Sequence, residues 1–208
     1  MPNLDNVEKF LRPPVTAKAL IFDLDGTLAD TMPLHLQSWR QLGQIVGVPI
    51  KDKMITDLAG TPTPEVALEL NKKFGWSLDP VGVQRLKNET YAQLKLHAGP
   101  VEPIQHVYAL AEAYRGHLPM SIGTGSTRAN ADAAIRDMNM ADWFVTVVTA
   151  EDVTAGKPDP ETFLKCAAAM NVAPAECILY EDGHSGIRAG LAAGMTVIHV
   201  ETQEIFEP

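Results

Sequence analysis

Cysteine is almost missing from this 208-residue chain, which has only Cys166 and Cys177. Both lie in apolar patterns without metal-ligand spacing, so two buried free thiols are expected rather than a disulfide or a cysteine metal site, as suits a reducing cytoplasm. Basic residues are also scarce: Lys and Arg number 17 against 26 Asp and Glu, for a formal charge of −9 and a pI near 5.1. That balance lacks the footprint of a nucleic-acid or anionic-membrane partner. Long hydrophobic runs are absent too, since no stretch approaches the roughly 20 apolar residues of a membrane span. The segment before Lys18 is broken by acids and by Pro13-Pro14 and has no apolar signal core, so a cytoplasmic protein is expected. No repeat or low-complexity segment occurs, and nothing in the pattern sets an oligomeric state.

What is present is enough apolar residue, 46% of the chain, for a sizeable core. The pattern divides into three parts. Residues 1–16 read as an N-terminal extension. A strand at Ala19-Leu20-Ile21-Phe22 is followed, over 33–98, by apolar residues at helical spacing with no convincing strand, in helices expected at 32–47, 55–58, 64–74 and 80–96. After Gly99-Pro100 strands and helices alternate, with strands expected at 120–124, 145–149, 177–181 and 195–200. Five short apolar strands separated by helices imply an α/β fold, a doubly wound parallel five-stranded sheet. In this reading 17–32 and 99–208 form the core and 33–98 is an all-helical insert.

Chemistry-bearing residues recur at the C-terminal ends of these strands, where open α/β sheets bind ligands. The first strand runs into Asp23-Leu24-Asp25-Gly26-Thr27, two carboxylates beside a glycine turn, although Asp-Gly pairs also make ordinary turns. The second ends in Thr124-Gly125-Ser126, a hydroxyl and a run of backbone N–H groups that suit an anion, with turn and cap residues as the plainer alternative. The third is followed by Gly156-Lys157-Pro158, which holds an ammonium in a constrained loop. The fourth ends in Glu181-Asp182, two more acids that would otherwise serve as helix caps.

Taken in order, these segments resemble the four motifs of the haloacid dehalogenase superfamily: Asp23-x-Asp25-Gly26-Thr27, Thr124, Lys157 and Glu181-Asp182. The resemblance extends from about residue 17 to 200 and implies a Rossmann-like core. The helical insert is similar to the small α-helical cap of the subgroup containing β-phosphoglucomutase and sugar-phosphate phosphatases. By this resemblance Asp23 is the nucleophile that forms an aspartyl-phosphate, and Asp25 is the general acid and base, its backbone carbonyl also a metal ligand. Thr124 and the N–H groups of Gly125 and Ser126 hold transferring oxygens. Lys157 offsets charge between nucleophile and phosphate. Mg²⁺ is the implied cofactor, on Asp23, Asp25 and Asp182 with Glu181 supporting its shell, since hard carboxylate oxygens suit it. His35 falls where relatives place a cap histidine near the hinge, and a helical histidine between Leu34 and Leu36 is equally a structural residue. Arg128 is a candidate for a distal anionic group of the substrate, or an ordinary surface arginine.

An aspartate at position 25 separates the chain from dehalogenases, whose halide leaving group needs no proton, and from transport ATPases, which carry lysine there. The expected substrate is therefore a small phosphate ester. β-Phosphoglucomutases bind a second phosphate with basic cap residues, whereas the matching segment here, Leu58-Ala59-Gly60-Thr61-Pro62-Thr63-Pro64, has no Lys or Arg. The chain looks more like the fructose-1-phosphate and 6-phosphogluconate phosphatase branch. Mutase action, a phosphoglycolate-type phosphatase and a non-catalytic phosphometabolite-binding regulator are the alternatives. Trp39 and Trp76 are expected in the core of the insert, and His97, His106, His117, His184 and His199 form no metal-ligand spacing.

Overall fold

Ala19–Phe22 forms β1, and all four residues are buried. Successive strand side chains point to opposite faces, so burial of all four demands cover on both sides. The computed structural model, which describes residues 2–58 and 61–208, shows that cover. Leu20 and Phe22 join one apolar cluster with α5 (Gln105–Tyr114) and α6 (Arg128–Asp137), while Ala19 and Ile21 join a second with α7 (Glu161–Met170) and α8 (His184–Ala192). Full burial of each large side chain contributes about 1.5–3 kcal/mol.

The remaining strands are β2 (Met120–Gly123), β3 (Thr146–Val148), β4 (Cys177–Glu181), β5 (Thr196–His199) and β6 (Ile205–Phe206). Their order is β3-β2-β1-β4-β5-β6. The first five are parallel, as expected for an α/β doubly wound sheet. The expected count of five needs correction, because β6 pairs antiparallel with β5 through Val197 with Phe206 and Ile198 with Ile205. Two residues are too few to show a period. From β1 the chain moves outward to β2 and β3, then returns to the other flank of β1 for β4 and β5. The reversal at β1 makes the loops after β1, β2 and β4 the walls of a crevice.

Contacts divide the described chain into two compact units, residues 1–30 with 100–208, and residues 31–99. Among its described residues the second has helices and no strand: α1 (Met32–Val46), α2 (Asp52–Thr56), α3 (Thr63–Phe74) and α4 (Pro80–His97). Trp39, Leu42, Leu70 and Val83 lie in its core, with Trp76 packed against it. Gly47 ends α1 at φ 74°, a left-handed position that glycine takes without strain. Asp79 caps α4 by accepting from the N–H groups of Val81 and Gly82. The second helix begins three residues before the expected 55, and Leu58 lies in the turn beyond it. Ala59 and Gly60, in the segment used to weigh mutase action, lie outside the described residues. Among the described residues no helix is long and apolar enough to cross a membrane.

The N-terminal extension is part of the first unit's core. Val7 and Leu11 are buried with the α5 and α6 residues, and Arg12 donates to the carbonyls of Leu4 and Val7. Tyr180, buried in β4, donates its hydroxyl to the Leu11 carbonyl at 2.7 Å. Tyr180→Phe leaves that carbonyl without its partner, so urea unfolding should show a loss of about 1–3 kcal/mol. An unchanged midpoint would mean that the extension is not held by this bond.

Candidate active site

Asp23 follows β1, and its amide donates to the Tyr180 carbonyl at 3.0 Å, continuing the ladder with β4. The chain then turns tightly, with the amides of Leu28 and Ala29 both donating to the Leu24 carbonyl. Gly26 has φ 87°, and a Cβ there would stand 2.3 Å from Asp182 Oδ2. Only glycine fits beside that carboxylate. Thr27, fully buried, donates its hydroxyl to Asp182 Oδ1 at 2.8 Å. The sequence Asp-Gly-Thr is therefore fixed by an acid 155 positions later.

Lys157 reaches into the sheet edge from the loop after β3. Its Nζ donates to Asp23 Oδ1 at 2.5 Å and to Glu181 Oε1 at 2.8 Å, with all three residues buried. Its ammonium also lies 4.6 Å from the centroid of the Phe163 ring. Glu181 accepts from the Gly183 amide at 2.5 Å through its other oxygen. Beneath it, a Cβ at Gly186 would come within 1.6 Å of Glu181 Oε1, so the first turn of α8 must lack a side chain there.

One ammonium does not balance this charge. Carboxylate oxygens of Asp23, Glu181 and Asp182 all lie within 4.8 Å of one another. Burial pushes the Asp23 carboxyl up to about 7; Lys157 opposes the rise, and Glu181 and Asp25 reinforce it. Burial, then Glu181 and Asp23, holds Asp182 well above the usual carboxylate range against the Thr27 hydroxyl. Burial disfavours the charged form of Lys157, but Asp23 and Glu181 outweigh it and raise the ammonium above its ordinary range. The excess of buried negative charge and the hard oxygen donors fit a divalent cation.

Asp25 is held from the opposite loop. Ser126 donates its hydroxyl to Asp25 Oδ2 at 2.6 Å, and Thr124 Oγ1 stands 3.4 Å from the same oxygen. Thr124 is buried and itself accepts from the Ser126 amide at 3.0 Å. That amide, which the sequence offers to a phosphate, is therefore already paired within its own loop. Gly125 lies between the two. The structure thus gathers Asp23, Lys157, Glu181 and Asp182 in one cluster and Asp25, Thr124 and Ser126 in a second, near enough for Asp25 to act electrostatically on Asp23. The other two candidates are engaged elsewhere. Arg128 donates to the Val147 carbonyl and to Asp152. His35 stacks on Tyr91 within the helical unit, its Nδ1 2.7 Å from Lys87 Nζ.

Sequence reasoning missed the residues that shape the site without reacting. Gly186 was detectable in principle, because a glycine inside a helix costs stability unless something needs the space. The roles of Thr27 and Gly183 depend on acids that only the fold brings near.

The profile for haloacid dehalogenase-like hydrolases matches residues 20–200, and the chain belongs to that family. It is 38% identical over 184 residues to the fructose-1-phosphate phosphatase YqaB of Escherichia coli strain K12, covering 87% of this chain and 95% of that one. It is 31% identical over 189 residues to the β-phosphoglucomutase of Bacillus subtilis strain 168, with 88% and 83% covered. The crystal structure of a β-phosphoglucomutase from Clostridium difficile superposes with a TM-score of 0.71 at 29% identity, over 88% of this chain and 83% of that one. A hydrolase from Pseudomonas syringae superposes with a TM-score of 0.77 at 22% identity and shares the fold.

Replacing a helical glycine by alanine ordinarily stabilises a protein by about 0.5–1 kcal/mol. Gly186→Ala should do the reverse, lowering the denaturant midpoint because Glu181 must leave its contacts with Lys157 and Gly183. A neutral or stabilising result would contradict the placement of Glu181.

Proposed function

We propose that this hydrolase is a Mg²⁺-dependent phosphatase of small sugar or sugar-acid phosphates that works through a phosphoryl group carried on Asp23. The observation that carries the reading is the juxtaposition of a buried carboxylate paired with Lys157 and a second, Asp25, oriented by Ser126 from the neighbouring loop. The Escherichia coli relative, a fructose-1-phosphate phosphatase similar over nearly its whole length, supports the choice of substrate class.

Asp23, Glu181 and Asp182 would hold the cation, with Asp25 contributing its backbone carbonyl. When bound, Mg²⁺ supplies neutralising charge for the phosphoryl oxygens. A carboxylate of Asp23 attacks phosphorus as the ester P–O bond breaks, and Asp25 gives its proton to the departing sugar oxygen. A water then attacks the same phosphorus, Asp25 takes the proton back, and inorganic phosphate leaves with Asp23 regenerated. Lys157 offsets the charge that would otherwise keep a phosphate dianion from Asp23. Thr124 and the Gly125 amide hold phosphoryl oxygens, and Ser126 keeps Asp25 in the orientation that proton transfer needs. The two buried thiols agree with a reducing, cytoplasmic setting.

Similarity to β-phosphoglucomutase makes mutase action the second reading. A phosphate-release screen with Mg²⁺ over fructose 1-phosphate, 6-phosphogluconate, phosphoglycolate and β-glucose 1-phosphate, with sugar products identified, separates the two. Free phosphate from a sugar phosphate is expected. Glucose 6-phosphate as the main product would establish the mutase, and phosphoglycolate as the preferred substrate would reassign the leaving group. Absence of turnover on every ester would leave a binding role. Asp23→Asn should lower turnover by about a thousandfold or more, and chelation should abolish it until Mg²⁺ is restored.

A further inference from the structure

We infer that Arg128 and Asp152 form a brace that fixes the Ser126 loop to the Lys157 loop, which makes them positioning residues for the carboxylate site rather than ligands of the substrate. The inference rests on the phosphatase reading, and its geometry lies wholly within the sheet-bearing unit. Ser126 and Lys157 approach the acids from separate loops, so their relative placement depends on what joins those loops.

Arg128 is the first residue of α6, two positions after Ser126. Its Nη2 donates to the Val147 carbonyl of β3 at 2.8 Å and to Asp152 Oδ2 at 2.5 Å, while Nη1 stands 3.8 Å from Asp132 Oδ1. Its amide donates to Glu151 Oε2 at 2.7 Å, and the Ala150 amide donates to the Ser126 carbonyl at 3.1 Å. The turn Ala150–Asp152 is thereby tied to the Ser126 loop by backbone and side chain together. Asp152 Oδ2 also accepts from the amide and hydroxyl of Thr149, at 2.7 and 2.8 Å. Those two bonds, then Arg128, hold its carboxyl below the ordinary carboxylate range.

From Asp152 the restraint continues toward Lys157. Lys165 donates to the Asp152 carbonyl at 2.5 Å and pairs with Glu161 Oε1 at 2.6 Å. Glu161 Oε2 accepts from the amides of Thr154 and Ala155 at 2.8 and 2.9 Å. The chain between the brace and Lys157 is pinned at three successive points. A guanidinium that already donates to acceptors of its own chain is engaged by the protein itself. The side chains of Arg128 and Asp152 are each 41% exposed, so the ion pair contributes little to stability. Its effect should appear in the geometry of reaction, where a displacement of about 1 Å can cost up to a hundredfold.

The test uses p-nitrophenyl phosphate with Mg²⁺, a substrate that has no second anionic group. Arg128→Gln and Arg128→Lys should each lower kcat by about tenfold, leave KM within about twofold, and leave the melting temperature close to wild type. Asp152→Ala should lower kcat similarly, with some loss of melting temperature because it also leaves the Thr149 amide and hydroxyl without their acceptor. Asp152→Ala added to Arg128→Gln should cost no more than about a further twofold, as for groups acting as a unit. The lysine variant, which keeps the charge but ends one bond short of the Nη2 position, secures the result if the others fold poorly. Unchanged kcat in these variants beside an active wild type overturns the brace alone. A loss confined to KM for sugar-acid phosphates overturns it in favour of a substrate ligand, and so does a kcat loss that merely follows loss of folded protein. A wild type inactive on every ester overturns the brace together with the phosphatase reading.

Discussion

The bond on which the rest of the site depends is that of the Lys157 ammonium, held between Asp23 and Glu181 inside the sheet edge. Burying one unpaired carboxylate costs several kcal/mol, and here three acids converge where solvent is largely excluded. Lys157 makes the cluster tolerable. Loss of one partner from a buried ion pair typically costs about 3–5 kcal/mol, because the remaining charge is left in a medium that cannot solvate it. The residual negative charge and the hard oxygen donors are what make the cluster fit a divalent cation.

Close approach of these charged groups imposes its own demands on the surrounding chain. Glu181 occupies the space that a side chain at Gly186 would fill, and Asp182 occupies that of a side chain at Gly26. Two glycines, one in the turn after β1 and one in the first turn of α8, thus admit two adjacent acids. The sheet order provides the crevice in which this happens, since β1 lies between β2 and β4 and their three loops meet at one edge. Packing on both faces of β1 keeps that edge rigid, so the distance between Asp23 and Lys157 is set by the core rather than by the loops alone.

Much of this was legible in the sequence, for physical reasons that also mark where legibility stops. The five parallel strands are short, mostly apolar runs separated by amphipathic helices, and all but β3 are buried on both faces, a pattern with few other solutions. β6 escaped because Ile205 and Phe206 carry no periodicity and are defined only by pairing with β5. The N-terminal segment read as an appendage because Val7 and Leu11 reveal their burial only against α5, α6 and Tyr180. Acids, hydroxyls and the lysine at strand ends stood out by type and position. The bond from Ser126 to Asp25 spans 101 positions, and no local pattern encodes it. Arg128 illustrates the same limit, since its sequence position suits an anion in the substrate while its fold neighbours supply acceptors of their own.

The most direct measurement is acid quenching of the enzyme during turnover of a sugar phosphate with Mg²⁺, followed by mass spectrometry of its peptides. The account predicts the added mass of one phosphoryl group on the peptide that contains Asp23, and none in Asp23→Asn. Turnover without any phosphorylated enzyme, or with the phosphoryl group on another residue, would contradict it.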